Sequence, residues 1–353
     1  MKLLKYPYVI QNEILDNLNY SDLFLLSLVS KNIRKLVKSS QKAKFKNVTS
    51  IVYDSCNMDQ PLVYIDYKMF AILKFSKYEE TENVQFQLSI SGKKIDFRLS
   101  DHHYCPVALF HPYERESVIE SIHNYFLDFF GTSVEYQWRT ENYERSIPRL
   151  QNLAVCIQFH SLRRYTDMKN VDKFFSSCPI WKSIDIGCWT FESLSSESES
   201  RLYQAESIRI CQYDRKLPPV LRNFQGKQAV LDCYLCEVSD LIEFVKRWKS
   251  GEAYQNLEHL KITTLREEIP RSGTLTAIGA RLIDTSRRPP AHTLSKRFFK
   301  YAFKPNTDPI ISHSYVVRDS DNRVASVLIQ GKTLSFGVWD KTEEEFLRMM
   351  DQL

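Results

Sequence analysis

The sequence predicts a mixed α+β/α/β chain, with an N-terminal three-helix unit, a sheet-rich α/β region and a closing antiparallel meander. Three observations predict it. Leucine and isoleucine recur at helical spacing through the first 46 residues, β-rich runs follow, and short strand-like runs alternate with helix-like ones after Pro148. At 353 residues the chain can bury one large core or two modest ones. Its nine glycines argue against collagen-like structure and Gly-rich nucleotide loops.

Pro7 stands just ahead of a first helix, where its missing N–H is no loss. Ile10, Ile14, Leu15 and Leu18 then recur at helical intervals. Ser21 or Asp22 can cap a second helix, Leu23 to Val29, which is almost wholly apolar. Ser30 caps a third, with Ile33, Leu36 and Val37 on one edge. Opposite them lies an acid-free basic run of Lys31, Arg34, Lys35, Lys38, Lys42, Lys44 and Lys46. Such a run reads as a solvated helix face, or as a seam for an acidic partner. A unit of about 45 residues is below the size that usually stands alone, so its surplus apolar surface must meet the rest of the chain or a partner.

Between Val48 and Leu99, residues 50–53, 62–65, 71–75, 84–90 and 94–99 read as strands. A hairpin is expected at Ser91-Gly92-Lys93. A helix near Glu116–Phe130 follows, stopped by Gly131. Beyond Pro148, Ile184, Ile208, Leu231 and Leu260 mark equivalent strands at a spacing of roughly 23 to 29 residues, in the range of leucine-rich repeats. A helix precedes each of them. The clearest, Ser239–Ser250, is expected to start with an Asp240/Glu243 capping box and to stop at Gly251. The repeat asparagine is missing, so the array is leucine-rich-repeat-like only, and an ordinary α+β domain with coincidental spacing is the alternative. Tyr315–Arg318, Arg323–Ile329 and Thr333–Trp339 form the meander, and Thr342 with Glu345 opens a last helix. The expected organisation is an N-terminal unit at 1–46 and a second domain at 47–353. Within the latter lie a strand-rich part (47–147), the array (148–265) and the meander and helix (310–353).

The N-terminal residues Tyr6-Pro7-Tyr8-Val9-Ile10, Glu13-Ile14-Leu15-Asp16-Asn17-Leu18, Ser21-Asp22-Leu23, Leu26-Ser27-Leu28-Val29-Ser30-Lys31 and Arg34-Lys35-Leu36-Val37 resemble the F-box motif. They depart from it in having Tyr6 where a leucine is usual and no tryptophan in the third helix. The Asn256–Ile262 segment and the ending Phe336-Gly337-Val338-Trp339-Asp340 extend the resemblance to a nematode family of F-box proteins with a type 2 F-box-associated domain. What the resemblance implies is a substrate-recognition adaptor. It would bind Skp1 and, through it, a cullin-based ubiquitin ligase. Pro7, Ile10, Ile14, Leu15, Leu18 and Leu26 would be the Skp1 contacts. A Skp1-bound scaffold outside a cullin ligase is the alternative.

The chemistry-bearing motifs are sparse. Cys233-Tyr234-Leu235-Cys236 is a CxxC without a second pair at zinc spacing. His102, His103, Cys105 and His111 sit in a turn-rich stretch and read as polar loop residues. Ser195–Ser200 and Arg287–Pro290 read as solvated loops. No Walker, nucleophile-elbow or zinc-protease motif occurs, so no catalytic residue, metal or cofactor is expected. A net charge of +5 and the absence of interleaved basic and aromatic residues speak against nucleic-acid binding. No apolar run reaches membrane-spanning length, no signal segment opens the chain, and the eight cysteines sit in strand contexts. A cytoplasmic or nuclear protein with reduced thiols is expected. If the array's apolar residues point inward, the alternates Asp185, Arg209, Asp232 and Lys261 line one sheet face. They are either a substrate-binding surface or charges that neutralise one another across neighbouring strands.

Overall fold

In the computed structural model the described residues are 3–56, 60–65, 71–79, 84–99, 105–142, 146–162, 173–176, 181–188, 201–212, 219–234, 236–297 and 306–350. They divide into two compact units, Met1–Val155 and Cys156–Leu353. The division therefore falls well beyond residue 46, because the N-terminal helices share a core with the strands that follow them.

The first unit opens with α1 (Tyr8–Asp16), α2 (Tyr20–Val29), α3 (Lys31–Ser40) and α4 (Lys42–Lys46). Asn19 and Ser30 cap α2 and α3 by accepting from the backbone N–H three residues on, at 2.8 and 3.2 Å. The cap of α2 is thus Asn19, ahead of the expected Ser21 or Asp22. The basic third segment is broken at Gln41, so the helical region has a short fourth helix.

Next come β1 (Ser50–Asp54), β2 (Leu62–Ile65), β3 (Ala71–Lys77), β4 (Phe86–Ile90), β5 (Lys93–Leu99), β6 (Pro106–Phe110), α5 (Arg115–Phe130) and β7 (Glu135–Thr140). The strand order is β7-β1-β2-β3-β6-β5-β4, which leaves β4 at the edge. The pairs β1–β7 and β3–β6 are parallel and the others antiparallel. The β4–β5 hairpin turns on Ser91 and Gly92 alone, both at positive φ, the geometry that lets two strands twist together across a two-residue loop. β6 and β7 were not expected. Cys105-Pro106 resembles a turn, and β6 is an unbroken apolar run with both faces buried.

Over this sheet α2 and α5 share an aromatic core. Phe24 meets Phe126 at 5.2 Å and Tyr125 at 6.0 Å, and Phe45 meets Phe129 and Phe130 at 5.1 and 5.5 Å. Polar clips hold the same junction. Ser27 shares a 2.8 Å hydrogen bond with the Tyr125 hydroxyl, Lys38 donates to the Asp128 carbonyl at 2.7 Å, and Arg34 pairs with the Asp128 carboxylate at 2.9 Å. Beneath them Tyr53 donates to Nδ1 of buried His123, whose Nε2–H donates to the Gln151 carbonyl. Burial lowers the His123 pKa and raises that of Tyr53, so the imidazole stays neutral.

β8 (Leu153–Leu162) carries the division between the units. The second unit contains β9 (Trp181–Cys188), β10 (Ser207–Gln212), α6 (Pro219–Asn223), β11 (Gln228–Cys233), α7 (Val238–Lys249), β12 (His259–Thr264), α8 (Arg271–Ala277), β13 (Arg281–Leu282), β14 (Ala291–His292), β15 (Ile310–Ile311), β16 (Ser314–Val317), β17 (Arg323–Gln330), β18 (Thr333–Thr342) and α9 (Glu343–Met350). β9, β10, β11 and β12 pair in parallel. β18 continues the sheet antiparallel to β12, and β17, β16 and β13 follow. The remainder of the chain beyond the helices is thus mixed and sheet-rich.

The apolar rungs are Ile184–Ile208–Ala229–Leu260 and Ile186–Ile210–Leu231–Ile262. Leu231 therefore lies one rung beyond the position that even spacing assigns it, because the connections between strands differ in length. The capping box of α7 is Glu237 with Asp240, one turn earlier than expected. Asp240 accepts from the Glu237 N–H at 3.3 Å. The Thr342/Glu345 box of α9 forms as expected.

Candidate protein-binding surfaces

On the N-terminal helices the apolar side chains sort into two groups. Leu15, Leu23, Phe24 and Val37 are fully buried. Leu15, among the implied partner contacts, is 0% exposed and belongs to the buried core of the first unit. The other implied contacts reach the surface. Pro7 and Ile10 are exposed, and Ile14, Leu18 and Leu26 are half-buried. Tyr8, Val9 and Val29 join them, at 57, 75 and 64% exposure.

The sequence held a signal for Tyr8 and Val9. Tyr8, Val9 and Ile10 are consecutive, and a helix turning 100° per residue cannot bury all three. Val29 gave no such signal, because Leu23 to Val29 is almost wholly apolar and only packing shows which side is covered.

The basic run is only partly a free face. Arg34 and Lys38 hold α5, and Lys44 donates to the Leu18 carbonyl at 2.6 Å. Lys31, Lys35, Lys42 and Lys46 are exposed.

In the second unit Asp185, Arg209 and Lys261 share one sheet face and one rung, with Val230 between the latter two. Asp232 sits one rung on, level with Cys211 and Thr263. The four residues do not form the single alternating row that even spacing implies. The charges also find partners within the chain. Arg209 lies 3.6 Å from Asp185, and Lys261 lies 3.4 Å from Asp308.

A strap covers part of the same face. Residues 291–297 pair with 306–311 through β14–β15 and the Ser295–Asn306 bridge. The Gln228 amide donates to the Ser295 carbonyl and accepts from the Arg297 N–H, at 2.9 and 3.1 Å. Ser207 donates to the Arg297 carbonyl at 3.0 Å. The Arg297 guanidinium grips both oxygens of Glu258 at 3.1 Å and reaches Glu206 at 2.6 Å. Ser207, Gln228 and His259 are buried as a result. His292 of the strap donates through Nε2 to the Val338 carbonyl at 3.0 Å. A side chain at Gly337 would lie 2.5 Å from its ring, so only glycine fits there. Burial, with His292 and Lys261 nearby, pushes the His259 pKa down to about 4.

The cysteine and histidine motifs assemble no reactive centre among the described residues. Burial raises both CxxC thiols, that of Cys236 to about 12 with Asp240 and Glu237 adding to the effect. They are held as thiols, poor nucleophiles and poor metal ligands. Cys105 is buried, and His111 stacks on Tyr113 at 5.5 Å. His102, His103 and Ser195–Ser200 lie outside the described residues. Among the described residues no cluster of three or more His, Cys, Asp or Glu side chains could hold a metal ion, and no helix is long and apolar enough to cross a membrane.

Comparison with known proteins finds a match in the family model of the F-box domain, over residues 7–45. Neither the curated proteins nor the solved structures contain a match. F-box domains typically bind Skp1. The matched residues run from the start of α1 into α4 and include the exposed apolar residues described above, so the chain carries an F-box at its N-terminal helices.

Proposed function

We propose that this protein is a substrate-recognition adaptor of a Skp1–cullin–F-box ubiquitin ligase. Its F-box binds Skp1, and the sheet-rich remainder binds a protein substrate. The observation that carries the reading is the split character of the F-box helices. One side is built into the core of the first unit, and the other leaves Tyr8, Val9, Ile10 and Val29 in solvent. Apolar surface of that kind marks a protein contact, and the F-box match supports Skp1 as its occupant.

The adaptor works without chemistry of its own. Holding a substrate beside a charged ubiquitin-conjugating enzyme raises the effective concentration of the substrate's lysines, and the adaptor needs no titrating group. In this reading the remainder is a type 2 F-box-associated domain of the nematode kind, its parallel strands a leucine-rich-repeat-like array. The protein acts in the cytoplasm or nucleus without cofactor, nucleic acid or membrane. The substrate surface is the uncovered part of the β9–β12 face around Asp185, Arg209, Asp232 and Lys261.

Deleting the F-box is a poor test, because Leu23, Phe24 and Val37 would leave a hole in the first unit's core. Val9→Glu with Ile10→Glu acts only on the exposed side. In titration calorimetry with purified Skp1 the pair is expected to weaken binding about a hundredfold, the size of a lost hot spot, with an unchanged melting temperature. A wild-type chain that does not bind Skp1 overturns the reading. One that binds Skp1 but never co-purifies with a cullin leaves only a Skp1-bound scaffold.

A further inference from the structure

Beside the F-box lies a groove of about 430 Å³. One wall is Leu18, Asp22, Leu25, Leu26 and Val29, and the other is Phe86 and Leu88 of the edge strand β4. β4 is outside the matched F-box residues. The hairpin that carries it is two-faced. Gln87 and Asp96 join on one side by a 2.7 Å hydrogen bond, while Phe86, Leu88 and Ile90 point to the other. Ile90 is buried, but Phe86 and Leu88 are only partly covered and end at the groove. Such an edge is a natural place for another chain to dock.

We infer that the Skp1 footprint continues past the F-box into this groove, so that Phe86 and Leu88 belong to the Skp1-binding surface. This rests on the reading that the F-box holds Skp1. The row Ile10, Ile14 and Leu18, at four-residue spacing along one side of α1 and its end, leads from the exposed N-terminus into the groove. Leu18 and Leu26 also line it, so a partner seated on the F-box contacts already rests against one wall. Among the described residues Asp22 is the one charged side chain lining the groove. The docking segment is therefore apolar, with a basic group placed to meet that carboxylate.

Two measurements with purified Skp1 and the full chain test this. Leu88→Ser is expected to weaken binding at least tenfold, and its melting profile checks the fold. Hydrogen exchange on the wild-type chain needs no variant. Skp1 is expected to slow exchange over Tyr8–Val29 and also over Phe86–Ile90. Protection of Tyr8–Val29 without Phe86–Ile90, or unchanged affinity in a folded Leu88→Ser, overturns the extended footprint and leaves the F-box reading standing. Protection of neither segment overturns both.

Discussion

In the first unit the F-box leaves a set of apolar side chains uncovered beside its free lysines, whereas on the β9–β12 face of the second unit Asp185, Arg209 and Lys261 meet partners from the same chain. Val9 and Val29 stand in solvent, while Arg209 faces Asp185, Lys261 faces Asp308 and the strap residue Arg297 joins Glu206 to Glu258. The difference teaches how to weigh exposed groups. Ion pairs at a surface satisfy themselves locally and are worth little alone, so a charged face need not imply a ligand. Exposed apolar side chains gain nothing from water, and a contiguous group of them implies a partner.

The largest effect should come from the covered side of the F-box. Phe24→Ala empties a site lined by Phe126 and Tyr125, and should lower the stability of the first unit by about 3–5 kcal/mol in urea unfolding. A loss below about 1 kcal/mol would break the contrast, because the helices would then be only loosely attached. The exposed Val9, by comparison, should change binding and leave stability alone.

The next effect is a pH dependence carried by His259, the β12 residue beneath the second unit's strap. His259 is neutral when folded, with a pKa of about 4 against 6.5 for the free side chain. Its neighbours are His292, Lys261 and Asp308. Between those two values the unfolded chain binds the extra proton, so stability is complete above pH 6.5 and falls as the pH drops toward 4. The loss is on the order of 3 kcal/mol. Denaturant titrations across this range should show it, and His259→Gln should flatten the curve. An equally steep curve in that variant would assign the effect elsewhere.

Arg297→Ala should give the smallest change, about 1 kcal/mol, because its partners Glu206 and Glu258 are partly solvated. Faster hydrogen exchange in 291–295 would accompany it. Unaltered exchange would show that Gln228 and Ser207 hold the strap unaided.

Much of the chain is legible from local pattern. The F-box helices, the strands at 62–65 and 71–75, the helix ending at Gly131, the meander and the Thr342/Glu345 cap all follow from periodicity and capping chemistry, which neighbouring residues encode. That Tyr8, Val9 and Ile10 cannot all be buried was legible too. The burial of Leu15 was not, because helical spacing places it with Ile14 and Leu18 and cannot tell which apolar residue enters the core. β6 was hidden by a proline at its first position. Asp232 was misplaced because strand register depends on the lengths of the intervening connections. The strap over Ser207, Gln228 and His259 joins residues far apart in the chain.

Pattern within a few residues thus names the elements and the binding module, since caps and periodicities act over one or two turns. Which side of each helix is covered, which charges are matched and where a groove opens depend on contacts between distant segments. Those are set by the packing of the whole unit, where burying one aromatic outweighs any local preference.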